Sequence, residues 1–202
     1  MRLFTFRPVR SAFDGILRDV MLPDLRRMPG LLDFHLGRHG PDELGPRLLA
    51  TVWSSHAEMA AAVGEDFDRP IFHPEVIEET TERSLEFRPL AISMSYEGSE
   101  PRRILRTLRG SIRPGERAFY IQQANQGYLA DIEAGRGPLA LHLGTGPGDD
   151  DFVTISVWDA WGKVEAATGG DIRRPMATRH SDLIVAWEAT HFEVIEGEPG
   201  RD

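Results

Sequence analysis

Along the chain, short stretches of alternating apolar and polar residues give way to stretches whose apolar residues recur every three or four positions, the pattern of strands interleaved with helices. Phe4 and Phe6 alternate with Thr5 and Arg7, and Pro8 precedes Val9, so a first strand is predicted to end there in a turn. Phe13, Ile16, Leu17, Val20, Met21, Leu25 and Met28 then fall on one helical face, behind Ser11-Ala12-Phe13-Asp14, a capping box with Asp in place of Glu. Pro23 is expected to kink this helix, because its ring clashes with the preceding turn, and Pro29-Gly30 to stop it. Leu32, Phe34 and Leu36 alternate with Asp33 and His35 in a second strand. After a loop rich in turn formers, residues 47–53 predict a third strand, its hairpin partner. Ser55 and Glu58 form a capping box for a short helix that ends at Gly64, Pro74 opens a further helical turn over 74–81, and 84–88 predict a fourth strand.

The order then repeats. Residues 104–112 predict a strand, and Pro114 a helix carrying Ile121, Ala124, Tyr128, Leu129 and Ile132. Strands over 139–143 and 152–158 flank a turn at 145–151, Asp159 is placed to cap a helix, and 183–195 form a long last strand. Val52-Trp53 and Val157-Trp158 each end a strand, with a Gly eleven residues after the Trp. Trp53 and Trp158, Pro70 and Pro175, and Phe87 and Phe192 are each 105 positions apart, while His35 and His142 are 107 apart, as expected for a hairpin loop shorter by two in one copy. The chain thus divides into a βαββαβ repeat over 1–90, a linker over 91–101, across whose start Leu90, Ile92 and Met94 alternate as in an added strand, and a second repeat over 102–202.

A βαββαβ unit is the ferredoxin-like α+β arrangement, an antiparallel sheet with both helices on one face. Leu49, Phe87, Val153, Ile155 and Phe192 would leave the other face apolar, so the two sheets are expected to pack face to face as a pseudo-dimer within one chain. Three cues carry a resemblance: the kinked helix ending in Arg26-Arg27-Met28-Pro29-Gly30, the strand Leu31-Leu32-Asp33-Phe34-His35, and Val52-Trp53 running into Ser55-His56-Ala57-Glu58-Met59. The second copy repeats the last two, with Gly135 in place of the Pro-Gly. The chain resembles a tandem, fused member of the dimeric α+β barrel superfamily, close to the antibiotic biosynthesis monooxygenase-like group. That resemblance implies an intramolecular barrel, and a superfamily that includes cofactor-independent monooxygenases of polyphenols, haem-degrading enzymes, chlorite dismutase-like proteins and members without known activity.

Composition narrows the chemistry. The 202 residues hold no cysteine, which removes disulfides, thiolate nucleophiles, Fe–S clusters and Cys-ligated zinc. Lys163 is the sole lysine and follows no Gly-rich loop, so Schiff-base chemistry and a P-loop are not expected. A formal net charge of −9, with no basic cluster denser than Arg102-Arg103-Ile104-Leu105-Arg106, argues against nucleic acid as a partner. Neither a signal peptide nor an apolar run of membrane-spanning length is recognised, so a cytoplasmic protein without a membrane partner is expected.

Cofactor-free oxygenation requires a base that ionises a phenolic substrate and an apolar pocket where the anion meets oxygen. The resemblance places such a pocket between sheet and helices of one half, bounded by the segment after the second helix. That segment holds Phe67, Arg69, Ile71, Phe72 and His73 in the first copy and Arg174, Met176, Arg179 and His180 in the second. His73 and His180, 20 and 22 residues beyond their Trp, are the candidate catalytic bases, with a structural histidine as the alternative. Arg69 and Phe72 are candidate substrate contacts. Trp53 and Trp158 offer large faces to an aromatic ligand or serve as core. His35 and His142, opposite the leucines of their strands, would line an inner cavity or be hydrogen-bonded structural groups. Asn125, the only asparagine, lies outside the first strand where the haem-degrading relatives use one, and Ala62 stands where they use a Trp. Haem binding through a histidine stays open. There is no HExxH, GxGxxG or GxSxG, and the aspartates 149–151 read as a solvated hairpin rather than a calcium site. A barrel that binds a small aromatic or hydrophobic molecule is expected, with no cofactor and no metal, either as a monooxygenase of phenolic or quinol substrates or as a non-catalytic or haem-binding barrel. Assembly into a further homo-oligomer also stays open.

Overall fold

The computed structural model describes residues 1–64, 71–85, 91–97, 103–146, 150–178 and 180–197, and only the backbone of 84, 85, 91–97, 196 and 197. It is a mixed α+β fold with antiparallel sheets, divided into two compact units, one of Met1–Pro89 with Phe192–Asp202 and one of Leu90–His191.

In the first unit, β1 (Arg2–Pro8) precedes a helical stretch made of α1 (Phe13–Ile16), a π-helical segment (Leu17–Met21) and α2 (Leu22–Arg27). The wider π turn lies directly before Pro23, where it accommodates a ring and a missing N–H that a regular α-helix interior does not. Met28 leaves the helix with extended dihedrals, as a residue before proline must. Gly30 follows at a φ of +76°, and a Cβ there would lie 2.5 Å from the Cβ of Glu58, so side chain and backbone both demand glycine. Then come β2 (Leu31–Arg38), β3 (Arg47–Trp53), α3 (His56–Val63), α4 (Pro74–Glu78) and β4 (Thr80–Leu85). The N-cap half of the expected capping box is present: Ser55 Oγ accepts from the Glu58 N–H at 3.1 Å.

The sheet of this unit runs in the order β4-β1-β3-β2. Phe4, Phe6, Phe34, Leu36 and Leu49 point to the helices and pack with Phe13, Leu17, Met21, Leu22, Leu25, Phe72 and Val76. Burial of each such side chain contributes roughly 1.5–3 kcal/mol, which outweighs the weak helical propensity of the short segments. Leu3, Leu48, Ala50 and Val52, on the other face, are buried as well. A bulge between Leu31 and Asp33 overturns one expectation: it breaks the alternation, leaving Leu32 more than half exposed while Phe34 and Leu36 remain core. Arg47, only 1% exposed, ties the start of β3 to the helical stretch through Asp14, with Nη2 to Oδ1 at 3.1 Å, and donates to the carbonyls of Gly45 and Glu43.

The second unit contains β5 (Ala91–Glu97), β6 (Ile104–Ile112), α5 (Arg117–Glu133), β7 (Ala140–Thr145), β8 (Asp151–Trp158), α6 (Trp161–Ala167) and a 3₁₀ turn (Ser181–Leu183). β9 (Ile184–Gly197) follows, and from Phe192 it belongs to the first unit, where it pairs with β2. The order is β9-β6-β8-β7-β5. Part of the expected linker is therefore strand: β5 pairs antiparallel with β7, with a register shift between Ile92 and Met94. The segment of β9 on β2 carries a similar shift where it meets Leu36 and Gly37. Helix α5 begins at Arg117 rather than Pro114 and buries Tyr120, Ala124 and Tyr128, a stripe of four-residue steps that leaves Leu129 half exposed. Asp159 does not cap α6, whose N-cap is Ala160; its carboxylate pairs with Lys163 Nζ at 2.8 Å. Among the described residues no helix is long and apolar enough to cross a membrane.

Candidate functional site

Both expected Trp positions end a strand, and each indole is satisfied by its own strand. Trp53 Nε1 donates to Thr51 Oγ1 at 3.0 Å, and Trp158 Nε1 to Ser156 Oγ at 2.9 Å. Residues two apart on a strand share a face, so a hydroxyl at that spacing meets the polar edge of the ring while its apolar faces pack. Trp53 packs with Met59, Val63, Met28, Leu31 and Ile71; Trp158 is fully buried in the core of its unit. Phe72 is core too, edge-on to Phe4 and Phe6 at centroid distances of 5.6 and 4.8 Å.

The histidines separate. His73 is exposed and caps α4, its Nδ1 accepting from the Glu75 N–H at 3.4 Å. His180 is half-buried and meets the ring of Phe119 edge-on at 5.1 Å, near the start of α5. His35 and His142 are both fully buried on the sheet face away from their unit's helices, since Phe34, Leu36, Leu141 and Leu143 face the helical cores. His35 Nε2 lies 3.0 Å from Asp33 Oδ2, whose Oδ1 accepts from the Phe34 N–H at 2.8 Å. Arg69, like Phe67 and Arg179, lies outside the described residues.

The groups that come together under a helix in the second unit were not singled out from the sequence. Arg106 is 1% exposed, between Ile104 and Leu108, which both belong to the helix-side core. Its Nη2 donates to the main-chain carbonyl of Arg174 and, at 3.5 Å, to that of Ile172, while its Nε has no hydrogen-bond partner. Burial pulls this guanidinium down to about 10, against the charge-favouring influence of Tyr128. Tyr128 and Tyr120 are hydrogen bonded to each other on the buried stripe of α5, and burial pushes both phenols above their ordinary value. Tyr120 also touches Phe152, with centroids 5.5 Å apart. In the pairing of β6 with β8, Arg106 stands opposite Ser156 and Leu108 opposite Thr154. Thr154 is 2% exposed and its Oγ1 has no hydrogen-bond partner either. The signal was present: an arginine at a core-facing position of an alternating strand departs from binary pattern, although it also reads as part of a basic cluster.

Arg174 has a second role. With Asp171, Arg173, Trp187, Glu188 and Ala189 it lines an open groove of about 610 Å³, in which Trp187 is 43% exposed. One short loop therefore accepts from the buried guanidinium and forms a wall of the groove. The first unit has an arginine in the corresponding place: Arg2, 1% exposed, stands opposite Thr51, the acceptor of Trp53, with its guanidinium 4.8 Å from the Phe4 ring centroid.

No family model matches the chain, and none of the curated proteins matches it in sequence. Solved structures do resemble it. A putative monooxygenase from Lactobacillus acidophilus NCFM is similar with a TM-score of 0.73 and 9% identity, covering 98% of this chain and 95% of that one. A putative monooxygenase from Fusobacterium nucleatum subsp. nucleatum ATCC 25586 is similar with a TM-score of 0.73 and 12% identity, covering 100% and 95%. An anthrone oxidase-like protein is similar with a TM-score of 0.58 and 15% identity, covering 100% and 93%. At these identities the likeness is one of fold.

Proposed function

We propose that the chain binds a small aromatic molecule and oxygenates a phenolic or anthrone-type substrate without a cofactor. The observation that carries this is the buried core between α5 and its sheet in the second unit, where Tyr120, Tyr128, Phe152 and Trp158 pack together and the buried Arg106 guanidinium feels the charge of Tyr128. Aromatic faces with a single cation suit a phenolate, whose negative charge is otherwise penalised by burial. His180, at the edge of that unit, is the proposed base, and His73 its counterpart in the first. Once the substrate is ionised, dioxygen takes its electrons. A methylene carbon gains one oxygen atom and loses two hydrogens, the second oxygen leaves as water, and all four electrons come from the substrate.

The architecture proposed with this activity is a pair of tandem repeats closing sheet to sheet as an intramolecular barrel. It is supported by the same strand order in both units and by burial of the sheet faces turned away from the helices. A second reading, a binding barrel without turnover, is favoured by the internal satisfaction of both tryptophan N–H groups. Oxygen uptake with an anthrone-type substrate separates the two. The first predicts substrate-dependent uptake that falls about 10²-fold or more in His180→Ala, as loss of a general base does. Binding of the same compound without uptake selects the second, and uptake unchanged in both His180→Ala and His73→Ala removes the histidines from the mechanism.

A further inference from the structure

Two polar atoms on the helix-side face of the second sheet have no hydrogen-bond partner although their residues are almost completely buried: Arg106 Nε and Thr154 Oγ1. Unpaired buried donors and acceptors are rare in folded proteins, because each forgoes its bond to water. These two occur together. The register sets Arg106 opposite Ser156 and Leu108 opposite Thr154, which makes Arg106 and Thr154 diagonal neighbours on one sheet face. The residues of a diagonal pair lie roughly 7–8 Å apart along the backbone, near enough for one carboxylate to meet both side chains, and the two are not bonded to each other. The neighbouring polar atoms are already used: Ser156 accepts from Trp158, Tyr120 and Tyr128 bond each other, and Arg106 Nη2 is held by the loop carbonyls.

Resting on the reading that this unit binds a small aromatic molecule under α5, we propose that the ligand carries a carboxylate, received by Arg106 Nε and Thr154 Oγ1. A guanidinium presents several N–H donors in a plane and pairs with carboxylates by charge-assisted hydrogen bonds, and a threonine hydroxyl donates to the second oxygen. The aromatic part of the ligand lies among Tyr120, Tyr128 and Phe152. Entry is past the 171–174 loop, where Arg174 borders both the buried guanidinium and the open groove. The candidate base His180 contacts Phe119 near the start of α5.

The test is calorimetric titration of the full chain with benzoate and 2-naphthoate, each against the corresponding neutral alcohol. Both acids are expected to bind at least tenfold more tightly than their alcohols. Thr154→Val, which keeps the shape of the side chain and removes only the hydroxyl, is expected to weaken acid binding about tenfold and to leave alcohol binding unchanged. Arg106→Gln is expected to abolish the preference for acid over alcohol; should it fail to fold, Thr154→Val still decides. Equal binding of acid and alcohol, no binding of either acid, or wild-type affinity in Thr154→Val with a raised Tm would each overturn the assignment. In the last case Thr154 is an unpaired hydroxyl without a ligand. Acid binding that follows these substitutions, without oxygen uptake by any anthrone-type substrate, would sustain the site and dismiss the oxygenase. Oxygen uptake without acid preference would do the reverse.

Discussion

The guanidinium of Arg106 donates to the main-chain carbonyl of Arg174, so a buried cation on a central strand holds the loop that walls the groove. Replacing it by an apolar side chain of similar length leaves those carbonyls without their donor. Arg106→Met is expected to lower stability by about 1–3 kcal/mol, and to speed amide exchange in the 171–177 loop more than in α5. Denaturant titration and hydrogen-exchange mass spectrometry measure the two effects. Uniform loss of protection would show that the arginine supports the whole core rather than the loop.

The tryptophan at each strand end contributes by packing and by one internal hydrogen bond. Trp158→Phe leaves Ser156 without its donor and is expected to cost about 1–3 kcal/mol, more than Trp53→Phe, since Trp158 is fully buried and Trp53 is 6% exposed. Adding Ser156→Ala to Trp158→Phe should recover part of the loss, because both partners are then gone. A double-mutant cycle with zero coupling would mean that the hydrogen bond contributes nothing.

The Asp33 and His35 pair is buried on the face opposite the helices of its unit. Removing one partner from such a pair costs about 3–5 kcal/mol, whereas replacing both by apolar residues is often near neutral. Asp33→Ala is therefore expected to destabilise the chain more than Asp33→Leu with His35→Leu, as judged by Tm. The opposite order would mean that the histidine is comfortable without the carboxylate.

Alkaline pH probes the second unit. Burial raises Tyr120 and Tyr128 above the ordinary 10.0, so above that pH the folded chain retains protons that the unfolded chain releases. Their contribution to stability is full below pH 10 and is lost as the pH rises. Arg106 acts with the opposite sign, because its value falls to about 10 from 12.5 and the unfolded chain holds the extra proton in that window. With two phenols against one guanidinium, net stability is expected to decline between about pH 10 and 11. Tyrosinate absorbance from these two residues should appear only together with unfolding. A gradual rise in the native state would show that the phenols are accessible.

Much of the architecture was legible from periodicity alone. Alternating Phe4 and Phe6, the helical spacing from Phe13 to Leu25, and the capping Ser55 describe local choices that burial later enforces, and Val-Trp recurs at a spacing of 105, each time at a strand end. What the sequence could not determine depends on partners remote along the chain. Leu32 was turned outward by a bulge, Leu129 rather than Tyr120 by the rotation of α5, and residues 91–97 became a strand because β7 offered them an unpaired edge. The same holds for chemistry. An arginine in a strand is only a charge until the sheet, α5 and the 171–174 loop close around it, and hydrogen bonding by an atom such as Arg106 Nε is decided by what the tertiary fold brings within reach. Residue types were thus set by sequence; their isolation from water, which gives them consequence, was set by the packing of distant segments.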